Sequence, residues 1–206
     1  MASLRHLISG LLIGLCLLAL PARTASAHED GIRIVENFHA ALIEVMKKAP
    51  DMNMEARFQR LSAEIGRSFD FSFMSRVTAG TSWKRATKAE RTSLIQAFKR
   101  MSAAQYTARF DGYSGQSFKT LKASNGPRRS LIVRTELIQP SAKPIELSYV
   151  MRKRKAGWRI VDVILAGGIS ELALRYSESR QIVRKKGITG LAASVHASAK
   201  RMMEPD

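Results

Sequence analysis

Side chains able to move protons are few and far apart in this chain of 206 residues. Beyond His6, histidines stand only at His28, His39 and His196, and the aspartates Asp70, Asp111 and Asp162 are scattered. General acid–base catalysis needs two groups within hydrogen-bond reach and suitably tuned, and no spacing here argues for such a pair. There is no His-Glu-x-x-His to hold a zinc-activated water, no Cys-x-x-Cys, and no Gly-x-Ser-x-Gly elbow to present a nucleophile. Asp162 lies at the end of a strand-like stretch, where a carboxylate accepting backbone hydrogen bonds accounts for it better than a general base. The residues thus point to no catalytic group, no metal ligand set and no cofactor motif.

What the spacing does supply is apolar surface. From Ile32 to Lys48, Ile34, Val35, Phe38, Leu42, Val45 and Met46 recur at helical period, and Ala49-Pro50 ends the run. Asn53 can cap a second helix carrying Phe58, Leu61 and Ile65. Asp70 to Ala79 reads as a short third helix with Phe71, Phe73, Met74 and Val77. Thr87 followed by Glu90 is a capping box that opens a long helix to about Phe110, lined by Leu94, Ile95, Phe98, Met101, Tyr106 and Phe110. After Gly112 and Gly115 the period changes to two, predicting strands over 117–124, 130–139, 145–154 and 158–165, joined by turns at 125–127, 140–144 and 155–157. Gly167-Gly168 breaks the pattern, and two helices follow, over about 170–185 and 188–203, parted at Gly187. The expected fold is α+β: N-terminal helices, a curved antiparallel four-stranded meander, and two C-terminal helices.

The alternation assigns faces to that sheet. Leu131, Val133 and Leu137 share one face with Ile145, Leu147, Tyr149 and Met151, while Ile132, Arg134, Glu136 and Ser148 share the other. On the fourth strand Trp158 and Ile160 point one way and Val161, Val163 and Leu165 the other. Helices packed on the apolar face of a curved sheet would leave a space between the two. In a meander the first and third turns lie at one end, so Arg128, Arg129, Arg152, Lys153, Arg154 and Lys155 would form one basic rim. Solvated hairpin tips would account for the same charges.

The N-terminus reads as an address. Arg5 and His6 precede an apolar run from Leu7 to Leu20, Pro21 breaks it, and Ala25-Ser26-Ala27 suits signal peptidase, so residues 1–27 are expected to be a cleaved leader. The run is short of the roughly 20 apolar residues that a bilayer span needs. Cleavage would leave one domain, 28–206, of 179 residues, without the lone Cys16 and with 32 basic residues against 17 acidic. For an exported chain the polyanions within reach are anionic membrane surfaces and acidic proteins, not nucleic acid. The aromatics also lie on apolar faces and are not interleaved with Arg and Lys as base-stacking platforms would be.

Several stretches, taken in order, resemble the MlaC (toluene-tolerance) family. They are Phe69-Asp70-Phe71-Ser72-Phe73-Met74-Ser75-Arg76-Val77-Thr78-Ala79-Gly80, Trp83, Thr87 to Arg91, Ala97-Phe98, and Tyr113-Ser114-Gly115. The closing set is Gly157-Trp158-Arg159-Ile160-Val161-Asp162-Val163, Gly168-Ile169-Ser170, and Gly187-Ile188 before Leu191. No single motif is specific; the ordered set is. Ala166 departs from the pattern, where an acidic residue is expected before the glycine. The Phe110 to Gly115 and Val161 to Ser170 segments resemble the hopanoid-associated branch more than the enterobacterial phospholipid branch. The resemblance implies a periplasmic carrier that holds lipid acyl chains, as cargo and not as cofactor, in an apolar cavity. It also implies partners: an inner-membrane ABC transporter with an MCE-domain protein and, in some systems, an outer-membrane lipoprotein complex.

For such a carrier, the candidate cavity wall is Phe73, Met74, Val77, Phe98, Met101, Tyr106 and Phe110 from helices, with Val133, Leu147, Tyr149 and Met151 from the sheet. Each would serve equally as ordinary core. The basic rim is the candidate docking surface. A small α+β enzyme, a polyanion binder and a docking module without lipid are the rival readings; an acid–base pair facing the cavity would favour the first, and a cavity too small for an acyl chain the last.

Overall fold

The computed structural model describes residues 22–204, so the predicted leader lies outside the described residues as far as residue 21. Helix α1 (Ala22–Lys47) starts ahead of the expected Ile32 and buries Val35, Phe38, Leu42 and Val45 almost completely. Helix α2 (Met54–Ser68) is capped as expected: the Asn53 side chain accepts a hydrogen bond from the Ala56 N–H at 2.8 Å. Helix α3 (Phe71–Ala79) is capped by Asp70, which accepts from the Phe73 N–H, and it ends at Gly80 with φ +58°. A 3-10 segment, Gly80–Arg85, leads to α4 (Lys88–Arg109). There Thr87 and Glu90 form the reciprocal box: the Glu90 N–H donates to Thr87 Oγ1 at 3.2 Å, and the Thr87 N–H donates to the Glu90 carboxylate at 2.8 Å.

The sheet is antiparallel throughout and its strands follow chain order: β1 (Ser117–Gly126), β2 (Ser130–Gln139), β3 (Ala142–Arg154), β4 (Gly157–Leu165) and β5 (Ile169–Ser170). Five strands, not four, make the meander. Gly167 and Gly168, at φ +83° and +81°, turn the chain so that Ile169 and Ser170 pair back onto Leu165 and Ile164. Sequence patterning cannot see a two-residue strand. The expected pair of C-terminal helices is likewise one element, α5 (Glu171–Arg201), broken internally at Gly187, whose φ of +65° is open to glycine at little cost.

Cross-strand register decides which side chains meet. Leu131 faces Met151, Val133 faces Tyr149, Thr135 faces Leu147 and Leu137 faces Ile145, as the alternation predicts. On β4 the alternation misleads. The register slips so that Met151 faces Ile160 but Val150 faces Asp162, leaving Val161 as an extra residue. That bulge puts Trp158, Ile160, Val163 and Leu165 on one face, where strict alternation had split them. A second slip isolates Leu121 on β1, between Thr120 and Lys122. Such bulges bend the strands that carry them.

Helix α1 crosses the inner face of the sheet unevenly. At Gly31 the backbone comes so close that an added Cβ would sit 2.2 Å from the Leu131 side chain and 3.5 Å from Met151 Sδ. This end of the sandwich is therefore filled. Toward the opposite end, where β2 turns into β3, the layers part.

Candidate functional site

Between the parted layers lies a cavity of about 510 Å³, within the range of small-molecule sites. Its depth is aromatic and aliphatic: Leu42 of α1, Phe69 of the α2–α3 link, Tyr149 of β3 and Val163 of β4 are all buried there. The Phe69 backbone is fixed against β4, because the neighbouring Asp70 N–H donates to the Ile160 carbonyl at 2.8 Å. Behind this floor the Phe38 ring packs edge-on against Phe69 and Tyr106, at 5.2 and 5.0 Å between centroids. The walls rise through Met46, Met74, Phe110, Phe118, Leu137, Leu147 and Leu165. The mouth is marked by Ile145 and Ile169, cavity-lining residues that are 38% and 54% exposed.

Five of the eleven wall candidates line this cavity: Met74, Tyr106, Phe110, Leu147 and Tyr149. Six do not. Val133 and Met151 are fully buried in the core, Met151 at the end that α1 closes at Gly31; Phe98 and Met101 are core residues of α4. Val77 is half-buried away from the cavity. Phe73 lies outside it, beneath the guanidinium groups of Arg152, Arg76 and Arg154 at 4.8–5.4 Å from its ring. The wall residues missed by sequence reading include Leu42 and Met46 of α1, Phe118 of β1, and Val163 and Leu165 beyond the bulge. Ala166, the departure from the family pattern, is exposed at the mouth.

Two of the three scattered aspartates are engaged structurally. Asp162 accepts from the Ser170 hydroxyl at 2.6 Å and the Leu172 N–H at 3.0 Å, tying β4 to the start of α5. Asp70 caps α3 and pairs with Arg154. One His–Tyr pair does touch the cavity: His39 Nε2 and the Tyr149 hydroxyl are hydrogen-bonded at 2.8 Å, with the imidazole stacked on Phe118 at 3.8 Å. Burial pushes His39 down to about 3 and holds Tyr149 well above its ordinary value. Both are neutral over the whole physiological range, unlike a catalytic pair poised near the working pH. Among the described residues no group of His, Cys, Asp and Glu could hold a metal ion, and no helix is long and apolar enough to cross a membrane.

Polar groups collect at the mouth. Gln105, Arg109, Gln116, Gln139, Glu171 and Arg175 all border it. The Arg175 side chain is only 16% exposed and donates to Gln105 Oε1 at 2.5 Å.

The basic rim forms at the far end of the sheet. Ser130 pairs with Arg152, which in turn pairs with Arg159, so Arg128 and Arg129 stand beside Arg152, Lys153, Arg154 and Lys155. From Ile145 at the mouth to Arg154 at the rim, β3 runs about 30 Å. Arg128 and Arg129 hold φ of +54° and +59°, a left-handed conformation unusual for residues other than glycine.

Comparison with known proteins extends over most of this architecture. The family model described as "MlaC protein" matches residues 36–197. A solved structure with the same fold is the phospholipid-binding protein from Ralstonia solanacearum in complex with a phospholipid. It aligns at a TM-score of 0.72 with 18% identity, over 86% of this chain and 99% of that one.

Proposed function

Because the chain belongs to the MlaC family, we propose that it is a non-catalytic lipid carrier, exported to the periplasm by the leader over residues 1–27. In this reading the domain from residue 28 to 206 moves a lipid, phospholipid or hopanoid, between inner and outer membranes. An inner-membrane ABC transporter with an MCE-domain protein would exchange cargo with it, and an outer-membrane lipoprotein complex is the corresponding partner at the other side.

The observation that carries the reading is a cavity whose depth is apolar and whose open end is polar. Each methylene removed from water is worth about 0.8 kcal/mol, so a 16-carbon chain resists leaving a bilayer by roughly 13 kcal/mol. A slot of Leu, Phe, Met and Val offsets that cost without any bond-making chemistry. Met46 and Met74 suit varied chains, because an unbranched thioether adapts its shape.

The test is native mass spectrometry with lipid extraction on the purified protein. A stoichiometric co-purified lipid is expected. A protein that stays empty even after incubation with phospholipid and hopanoid vesicles would overturn the carrier reading and leave a docking module.

The rim suits docking to an anionic membrane or an acidic protein surface. Its distance from the mouth separates the two roles. Reversing Arg128, Arg129 and Arg152 to glutamate is expected to weaken binding to anionic vesicles or partner at least tenfold, while bound lipid stays unchanged. Loss of lipid from a folded variant would show that the rim assignment is wrong.

A further inference from the structure

Three arginines outside both the cavity and the rim are left without a task. Arg85 ends the 3-10 segment that follows α3, and Arg180 and Arg184 stand one turn apart on α5. All three are exposed and line one groove of about 710 Å³, together with Tyr176, Ser177 and Gln181. The two walls meet at Gly80, whose φ is +58°; a Cβ added there would sit 3.5 Å from the Tyr176 ring. No carboxylate lines the groove, and none of the three arginines makes an ion pair among the described residues. Glu178 lies two residues from both Tyr176 and Arg180, which at 3.6 residues per turn points it about 200° away from them. Like charges four residues apart work against the helix that carries them. Arg180 and Arg184 therefore weaken the free protein, and an anion seated between them relieves that repulsion.

The rest of the lining decides which anion. Thr78 and Ala79, the last residues of α3, border the groove, so the negative end of that helix faces it. A phosphate brings chiefly charge and acceptors to that end. A peptide brings N–H donors as well as carboxylates, and the Ser177 hydroxyl and Gln181 amide can bond to its backbone. Spacing agrees. Arg180 and Arg184 are about 6 Å apart along the helix axis, and side chains two residues apart on an extended strand are about 6.6 Å apart.

We propose that this groove binds an extended acidic segment of a partner protein, with carboxylates at alternate positions on Arg180 and Arg184 and a third on Arg85. The fork of a guanidinium grips carboxylate oxygens two at a time. The site stands apart from the basic rim: α3 begins beside Asp70, which pairs with Arg154, and ends at the groove. Its length puts about 13 Å between the two. The groove needs no lipid, so it does not rest on the carrier reading.

The test is fluorescence anisotropy of a short labelled peptide of alternating glutamate and serine, titrated with the full chain at low salt. Wild type is expected to bind it and to ignore the same peptide with glutamine in place of glutamate. No binding by wild type overturns the proposal outright. R180Q/R184Q changes two exposed side chains and is expected to weaken binding at least about tenfold. R128Q/R129Q removes the same charge from the rim and is expected to change it less than about twofold. Equal losses in the two variants would mean attraction by net charge alone and overturn the groove, as would undiminished binding by R180Q/R184Q. Excess inorganic phosphate at matched ionic strength is expected to leave the peptide bound; displacement would make this a phosphate site. Phosphatidylglycerol vesicles are expected to bind R180Q/R184Q as they bind wild type; a selective loss would make the groove a membrane contact. Either result overturns the peptide assignment. Lipid content of R180Q/R184Q is expected to equal that of wild type, and a wild type that carries no lipid would sink the carrier reading while leaving the groove intact.

Discussion

Leu147→Glu is expected to empty the protein of lipid while leaving it folded. Leu147 stands on β3 facing Thr135 and Leu165, half-buried, with its side chain on the cavity wall. In the empty cavity a carboxylate there can hydrate through the open mouth. Once an acyl chain lies over it, that water must go, and desolvating an unpaired carboxylate costs several kcal/mol. Uptake from vesicles is therefore expected to fall by at least about a hundredfold, with the circular dichroism spectrum and thermal midpoint little changed. Leu121→Glu supplies the control, since Leu121 is 45% exposed at the β1 bulge and does not line the cavity. Equal lipid content in both folded variants would separate the cavity from cargo binding.

Acid is expected to destabilise the fold through a single buried imidazole. His39 falls from 6.5 to about 3 because burial penalises its charged form. The unfolded chain takes up that proton near pH 6.5 while the folded chain does not until about pH 3. Stability attached to His39 is therefore whole above pH 6.5 and is lost steadily as pH falls toward 3. Between pH 6.5 and 4 the loss amounts to about 3 kcal/mol. Glu44 and Glu90 are also depressed in the fold, by their hydrogen bonds to Arg60 and Thr87, but the stability they contribute is whole above their ordinary 4.5 and is lost only as pH falls below it. Urea unfolding at pH 7, 6 and 5 isolates the histidine. His39→Asn is expected to be less stable than wild type at pH 7 and to lose much less stability on acidification. Parallel pH slopes for the two proteins would rule His39 out as the cause. Lipid content is the informative companion readout, because His39 anchors Tyr149 on the cavity wall.

The parts of the fold that chemistry sets locally were readable in the sequence. Asn53 and the Thr87–Glu90 pair cap helices as their spacing predicts, and β2 and β3 meet in the register that their alternation implies. What escaped was set by other elements. The bulge at Val161 leaves no signature in a run of β-branched residues, yet it decides that Val163 and Leu165 face the cavity. The two-residue β5 is too short to show a period. Cavity and core were the hardest to separate, because periodicity identifies the apolar side of an element but not whether the opposing surface touches it. Leu131 and Leu137 share one face of β2; α1 closes over the first at Gly31, and the second opens on empty space. The polar mouth was missed for the same reason, since Arg109 and Arg175 are 66 positions apart and meet only through the packing of α4 against α5.

The slip at Leu121 bears on how many copies can share a compartment. β1 is an outer strand, and a flat unpaired edge invites a neighbouring chain to add its own. Here the extra residue interrupts the row of backbone donors and acceptors, and Lys119 and Lys122 stand exposed on either side of it. At the other margin β5 offers two residues before the chain becomes helix, and the Phe69–Asp70 segment already occupies part of β4. A sheet that backs onto a hydrophobic slot would otherwise be a double hazard, giving an intruding strand both a ladder to join and a greasy surface to cover. With both margins blunted, crowding is expected to leave the molecules separate, and the apolar interior is approached through its mouth.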